Sequence, residues 1–214
     1  MKKSVAIIII VVLLVGLGLA LWLFGCFGAN QIEVGDVTEF GGIQWRVLDV
    51  QDNRALLLAE YLLEFRVYHD TPQDVTWETS RIRQWLNDEF YNRFSDGERE
   101  RIVETVLENK DNQWWGTPGG NDTVDKIFLL SMDEVVRYFV PVEVHDGFDL
   151  WNDERYLDER SATFENGIFG HWWLRSPGSA PVTASIIAYT GQLGEMNVAF
   201  SQIGVRPGMW IYTN

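Results

Sequence analysis

The feature that most constrains the fold is a pair of adjacent tryptophans in the phrase HWWLRSPG, residues 171–178. Successive side chains of a β-strand point to opposite faces, so Trp172 and Trp173 need cover on both sides. Arg175 in the same phrase then lies near the interior, where a guanidinium needs a carboxylate or carbonyl partner. The phrase therefore predicts a central strand that is buried on both faces.

The chain ends on a related phrase, GVRPGMWI at residues 204–211. It repeats the combination of arginine, proline, glycine and tryptophan, so we predict that the two phrases pair or pack in the centre of one domain. The predicted structural core contains Trp172, Trp173, Arg175, Arg206 and Asp125. As carboxylate partners for the two arginines we expect Asp125 and Glu134, which flank an apolar run at 127–130.

An apolar run, Val5 to Phe27, follows Lys2 and Lys3 at the N-terminus. It is long enough to cross a bilayer, which needs about 20 residues. Positive charge before the run predicts a single span with the N-terminus in the cytoplasm and the rest of the chain outside. We therefore expect a cytoplasmic stub and membrane anchor at 1–29 and an extracytoplasmic globular domain at 30–214.

Two other interpretations of the N-terminus stay open. A cleaved signal peptide is one, although its apolar region is usually only about 7–15 residues long. The other is a lipoprotein, because residues 23–26, LFGC, resemble a bacterial lipobox in which Cys26 is acylated. Phe24 is bulky for that motif and the run is long, so we expect the uncleaved anchor.

Charge and cysteine content exclude several classes of function. All 31 acidic residues lie after the apolar run, against 15 of the 17 basic ones, so residues 30–214 carry a net charge of −16. Such a surface repels phosphate backbones, which argues against a nucleic-acid partner. The only cysteine is Cys26, so the domain has no disulfide and no cysteine-based metal site. His69, His145 and His171 show no zinc-ligand or catalytic spacing.

The remaining pattern predicts an α+β domain of short antiparallel strands with two to three helices. Alternating residues at 43–50 and an apolar run at 55–59 predict a hairpin, and segments 185–189 and 193–200 predict another. A helix is expected from Thr79 to about Phe94, and a second from Ser95 through Leu107. A short strand at 126–130 precedes a third helix that begins after Ser131, and a closing strand runs over about 205–212.

Seven phrases of the sequence resemble, in the same order, the bacterial family catalogued as domain of unknown function 6273. They are GGIQWRVLDV at 41–50, VTWETS at 75–80, RQWLN at 83–87, GGNDT at 119–123, DKIFLLS at 125–131, WWLRSPG at 172–178 and GVRP at 204–207. The resemblance spans roughly residues 34–211 and implies no activity. The tryptophan-rich strands and the Gly-x-Arg-Pro ending are also similar to the sulfatase-modifying and C-type-lectin-like folds. That similarity implies a compact domain whose N- and C-terminal strands meet.

No cofactor is expected, with calcium as an alternative because the domain is acidic and Ca²⁺ prefers oxygen ligands. One possible cluster is Asn121, Asp122 and Asp125. Another is Asn152 with Asp153, since residues 151–153, Trp-Asn-Asp, look like a signature of calcium-dependent C-type lectins. The alternative for both is a turn in which Asn and Asp bind backbone groups.

Three tryptophans, Trp114, Trp115 and Trp151, fall in predicted loops, where a packing role is less compulsory than in a strand. Exposed tryptophan rings stack on sugar faces and cap apolar peptides, so we predict that these three bind a ligand. The alternative for each of them is that it packs in a small irregular core. Their predicted binding role makes the chain a membrane-anchored extracytoplasmic recognition domain for a glycan, a peptide or a cell-envelope component. The alternatives are a cell-envelope hydrolase that uses paired carboxylates and a structural component of the envelope.

Overall fold

The structure is a computed structural model that describes residues 32–213. The main sheet of the domain consists of four antiparallel strands: β1 (Val37–Phe40), β2 (Ile43–Gln51), β3 (Arg54–Ala59) and β11 (Gly208–Tyr212). They lie side by side in the order β1-β2-β3-β11. The predicted hairpin at 43–59 is confirmed as β2 and β3, and a bulge interrupts it between Val47 and Asp49.

The chain's closing strand returns to this sheet. Residues 208–212 of β11 pair antiparallel with 54–58 of β3, so strands from the two ends of the domain lie in one sheet. The buried face of the sheet carries Trp45, Val47 and Leu57, which are at most 1% exposed. Burying such apolar side chains supplies most of the driving force for folding.

A second sheet of three strands holds the tryptophan pair. Its strands are β8 (Trp172–Pro177), β9 (Thr183–Ile187) and β10 (Leu193–Asn197), in the order β10-β9-β8. The second predicted hairpin is confirmed as β9 and β10. Every residue of β8 is buried, and the indoles of Trp172 and Trp173 donate to the carbonyls of Arg160 and Arg66 at 3.1 and 2.8 Å.

The two related phrases meet at Gly204. The Trp173 amide donates to the Gly204 carbonyl at 3.2 Å, and the Gly204 amide donates to the His171 carbonyl at 2.7 Å. A Cβ on Gly204 would lie 2.9 Å from a methyl group of Leu62 and 3.0 Å from the His171 carbonyl. Glycine therefore favours the close approach of the chain's last segment to the central strand, since a Cβ there would require Leu62 and the His171 carbonyl to shift.

Two more pairs of short strands complete the β-structure: β4 (Thr105–Leu107) with β5 (Thr123–Asp125), and β6 (Ala162–Thr163) with β7 (Phe169–Gly170). The predicted extension of the second helix through Leu107 is wrong, because β4 lies there. Residues 102–107 are rich in β-branched side chains, which favour a strand. Their burial alternates across β4, with Val106 exposed and Leu107 buried, as a strand requires.

The helices of residues 32–213 are short, and three of the four α-helices begin at a serine side-chain cap. They are α1 (Arg81–Trp85), α2 (Asp96–Arg101), α3 (Met132–Phe139) and α4 (Leu157–Arg160), with 3-10 turns at Tyr91–Arg93 and Val142–Val144. The predicted first helix continues past α1 as a π-helical turn, Leu86–Phe90. Ser95 and Ser131 form capping boxes with Glu98 and Glu134, which confirms the predicted starts of α2 and α3.

The segment expected to be a strand at 126–130 is a buried extended segment without a continuous strand partner. Phe128 exchanges two backbone hydrogen bonds with Gly208, and the Leu130 carbonyl accepts one from the Arg175 amide at 2.9 Å. Side chains satisfy several of the other backbone groups. Asn87 accepts from the amides of Lys126 and Ile127 at 2.8 and 3.2 Å, and the guanidinium of Arg175 donates to the Leu129 carbonyl at 2.9 Å. The sequence pattern predicted burial correctly but could not show that side chains replace a neighbouring strand.

No helix among residues 32–213 is long and apolar enough to cross a membrane. The predicted anchor, Val5 to Phe27, and the possible lipidation site Cys26 lie outside the described residues.

Candidate functional site

Trp114, Trp115 and Trp151 form one aromatic cluster, which we call the tryptophan surface. Ring centroids of Trp114 lie 6.1 Å from those of Trp115 and Trp151, and the last two are 4.9 Å apart with their planes at 81°. Trp115 and Trp151 remain 45% and 37% exposed. The structure thus brings together all three tryptophans predicted to bind a ligand, with Trp115 and Trp151 exposed and Trp114 half-buried.

Asn112 holds the loop that carries Trp114 and Trp115. Its side-chain oxygen accepts from the amides of both tryptophans at 3.0 and 3.3 Å. Its side-chain nitrogen donates to the carbonyls of Pro177 and Gly178 at 2.9 and 3.3 Å. Asn112 is buried, so these four bonds lie where water cannot readily replace them. The loop is therefore fastened to the turn that follows the central strand β8.

The same loop closes on itself at Gly119. The Gly119 amide donates to the Asp111 carboxylate at 3.0 Å. A Cβ at this position would collide with the backbone carbonyl oxygens of Asn109 and Lys110. Only glycine fits where the two arms of the loop approach so closely, and this contact fixes the base of the loop.

Trp151 is held by a turn built from Asp149. The Trp151 amide donates to Oδ1 of Asp149 at 3.0 Å, and Nδ2 of Asn152 donates to Oδ2 at 2.6 Å. Asp153 pairs with Arg155, whose Nε lies 2.9 Å from Oδ1. Hydrogen bonds from Arg155 lower the pKa of Asp153 to about 2. Asn152 and Asp153 thus stabilise a turn, which is the arrangement given above as the alternative to a calcium site.

Arg160, which was not predicted as a site residue from the sequence, supports this turn from inside the domain. It is fully buried and donates to the carbonyls of Tyr156, Asp153 and Arg155 at 3.0, 3.2 and 3.0 Å. Burial lowers the pKa of its guanidinium. No spacing distinguishes Arg160 from the exposed charges around it in the sequence, so only the fold reveals that it organises the segment behind Trp151.

Acidic groups border Trp151. A shallow depression of about 420 Å³ is lined by residues on both sides of Trp151 in the chain: Gly147, Asp149, Asn152, Asp153 and Glu154. Carboxylate and amide groups beside a flat apolar ring suit a ligand that has an apolar face and an edge of hydroxyl groups.

The other proposed calcium residues bind protein groups. Asn121 donates to Oε2 of Glu78 at 3.0 Å, and Asp122 accepts from the Asn109 amide at 3.1 Å. Asp125 is buried and accepts from Arg83 and Trp77 at 2.7 and 2.9 Å. Within residues 32–213, no group of three or more His, Cys, Asp or Glu side chains is arranged to hold a metal ion.

Arg175 pairs with Glu134, one of its two expected partners. Its Nη2 lies 3.1 Å from Oε1 of Glu134, Nη1 contacts Oε2, and Nη1 also donates to the Leu129 carbonyl at 2.9 Å. The expectation that Asp125 pairs with Arg175 or Arg206 is wrong, because Arg83 occupies that carboxylate. Arg83 lies on α1, which the sequence analysis did not connect with Asp125.

The pair of Arg175 and Glu134 lies at a polar cavity of about 520 Å³ that also contains Asp133 and Lys110. Nζ of Lys110 lies 2.8 Å from Oδ2 of Asp133. The carboxylates of Glu134 and Asp133 are therefore each paired with a cation. Such pairing does not resemble the two facing acids of a carboxylate-dependent hydrolase.

Arg206 lies beside the central strand and differs from the other buried arginines. It is 5% exposed, and its Nε donates to the Ala59 carbonyl at 3.0 Å. The rings of Trp172 and Phe139 lie 5.3 and 5.6 Å from its Cζ. Burial lowers the pKa of Arg206 to about 10, so it still carries its charge at pH 7.

Comparison with known proteins gives one match. The family model described as "Domain of unknown function (DUF6273)" matches residues 52–213. Neither a curated protein nor a solved structure matches the chain.

Proposed function

The chain belongs to the DUF6273 family, whose description names no activity, and we propose from its own residues that it is a membrane-anchored extracytoplasmic recognition domain that binds glycans. The observation that carries this proposal is the convergence of Trp114, Trp115 and Trp151 into one partly exposed cluster. Two large indoles in contact with solvent expose apolar area, a common mark of an interaction site.

The surroundings of the tryptophan surface favour a sugar over a purely apolar ligand. A pyranose has one face of C–H groups, which stacks on an aromatic ring, and a rim of hydroxyl groups, which donate hydrogen bonds. Asp149, Asp153 and Glu154 supply acceptors beside Trp151. The loop held by Asn112 keeps the rings in place before a ligand arrives, and such preorganisation lowers the entropic cost of binding.

The location of the domain is a second part of the proposal. The run from Val5 to Phe27, with Lys2 and Lys3 before it, supports a single span with the domain outside the cytoplasm. A lectin-like arrangement is also proposed, and it is supported by the pairing of β11 with β3.

We expect the protein to sediment with membranes and to be digested by protease added outside the cytoplasmic membrane. Mass spectrometry of the intact chain distinguishes the anchors, since an acylated Cys26 as the new N-terminus indicates a lipoprotein. A soluble, unacylated protein that begins near residue 30 would contradict both anchors.

Replacing both Trp115 and Trp151 by alanine should weaken glycan binding by about 2 kcal/mol or more, roughly thirtyfold in Kd, because exposed tryptophans that stack on a ligand act as hot spots. Binding is measured by titration calorimetry on the full-length chain, against soluble cell-wall fragments and neutral oligosaccharides selected on a glycan array. The matched control replaces Tyr189 and Phe200, two exposed aromatics elsewhere, by alanine.

The control variant should bind with unchanged affinity. Equal binding by the tryptophan variant and the native chain would show that Trp115 and Trp151 only pack against each other. If the native chain binds apolar peptides but no sugars, the tryptophan surface would be a peptide-binding site and not a glycan-binding site.

A further inference from the structure

The three buried arginines differ in how their N–H groups are satisfied. Arg160 donates to three carbonyls, and Arg175 donates to a carboxylate and to carbonyls. Each of the three has one buried nitrogen without a partner within residues 32–213, Nη1 in Arg160 and Arg206 and Nε in Arg175, but Arg206 alone makes only a single hydrogen bond there, from Nε to the Ala59 carbonyl. A guanidinium has five N–H donors, and leaving them unpaired in the interior is costly.

The nearest acid does not compensate Arg206. Glu60 is held by Arg46, whose Nε donates to Oε2 at 2.8 Å and whose Nη2 contacts Oε1. Trp172 and Phe139 stabilise the charge through their ring faces, but they accept no hydrogen bond in the guanidinium plane. Arg206 therefore keeps N–H donors in the guanidinium plane that no carboxylate among residues 32–213 uses.

Arg206 lines a cavity of about 490 Å³. This volume lies within the range of small-molecule sites, about 300–1,000 Å³. The lining combines apolar and aromatic side chains, among them Val47, Phe139 and Phe169, with the charged side chains of Arg46, Glu60, Asp158 and Glu159. Because Arg46 and Glu60 pair with each other, Arg206 is the buried cation left to receive an anionic group, while the rings offer contacts to an apolar body.

We propose that this cavity binds a small carboxylic acid with an apolar body, and that Arg206 receives its carboxylate. The planar guanidinium matches a carboxylate in geometry, and the resulting charge-assisted hydrogen bonds satisfy donors that the protein leaves unpaired. Asp158 and Glu159 of α4 also line the cavity, so an ammonium group on the same ligand adds a favourable contact. Apolar amino acids combine all three features. This site is separate from the tryptophan surface and does not depend on it.

Three related ligands test the proposal on the full-length chain in lipid nanodiscs: phenylalanine, 3-phenylpropionate and phenethylamine. They share an apolar body and differ in carrying both charges, the carboxylate alone and the ammonium alone. Titration calorimetry should show binding of the two acids and at least tenfold weaker binding of phenethylamine. Phenethylamine binding as tightly as phenylalanine would overturn the role of Arg206, and no binding of any of the three at millimolar concentration would overturn the site.

Arg206→Gln should abolish binding of both acids, whereas Arg81→Gln, which removes an exposed arginine outside the lining of the cavity, should leave it unchanged. Phe169→Ala offers a second test, since Phe169 lines the cavity yet is 58% exposed and its loss should not unfold the domain. We expect it to weaken acid binding by at least fivefold. A folded Arg206→Gln variant with native affinity would contradict the proposal; if that variant does not fold, native affinity in Phe169→Ala would do so.

Discussion

Arg175→Ala should lower the free energy of unfolding by about 3 kcal/mol. Removing one partner of a buried ion pair costs roughly 3–5 kcal/mol, because the other charge stays behind without compensation. The lower end is expected here, since the side chain of Glu134 is 24% exposed and water can partly solvate it. The Leu129 carbonyl also loses its guanidinium donor. Denaturant titration followed by far-ultraviolet circular dichroism measures the change.

Two variants control for charge and size in this experiment. Arg175→Lys should recover only part of the loss, because an ammonium cannot bridge both oxygens of Glu134 and also reach Leu129 as the planar fork does. Arg137→Ala removes an arginine whose side chain is 60% exposed in its pair with Asp49, so it should change stability by at most about 1 kcal/mol. An Arg175→Ala variant as stable as the native chain would show that the pair with Glu134 does not support the fold.

Asn112→Ala should have the second largest effect, and it should act on both stability and binding. The substitution leaves the amides of Trp114 and Trp115 and the carbonyl of Gly178 without their side-chain partner, whereas the Pro177 carbonyl keeps the hydrogen bond from Ser185. One buried unsatisfied group costs about 1–3 kcal/mol, so we expect a loss of at least that size. Glycan affinity should fall as well, although both indoles remain in the chain.

The control variants for Asn112 separate the role of its side-chain oxygen from that of its side-chain nitrogen. Asn112→Asp keeps the oxygen that accepts from the tryptophan amides but loses the donor to Pro177, so it should retain more glycan affinity than alanine does. Gln113→Ala changes the exposed neighbour and should alter neither quantity. If Asn112→Ala bound glycans with native affinity, the loop would not need its attachment to the central strand.

Local signals in the sequence predicted local structure well. The hairpin of β2 and β3 follows from alternating residues on both sides of a polar turn, and the starts of α2 and α3 follow from Ser95 and Ser131. The errors lie where tertiary contacts outweigh local pattern. Residues 105–107 form a strand because β5 supplies a partner that periodicity cannot reveal.

The individual residues of the candidate site could be predicted from the sequence, but the way they come together could not. Trp115 and Trp151 stand out in the sequence because they are tryptophans in polar loops. They are 36 positions apart, however, and only the fold brings their rings into contact. Partners of buried charges were the least predictable part. Asp125 pairs with Arg83 across the fold, and Arg206, for which carboxylates or carbonyls were expected, makes one hydrogen bond within residues 32–213, to the Ala59 carbonyl.

Fluorine NMR of the full-length chain labelled with 5-fluorotryptophan tests most directly whether the tryptophan surface is the recognition site. Each of the ten tryptophans gives its own signal, assigned by single Trp→Phe variants. On adding a binding glycan, we predict that the signals of Trp114, Trp115 and Trp151 shift, while those of the buried Trp45, Trp77 and Trp173 stay in place. Saturable glycan binding that leaves the signals of Trp115 and Trp151 unmoved would contradict the proposal.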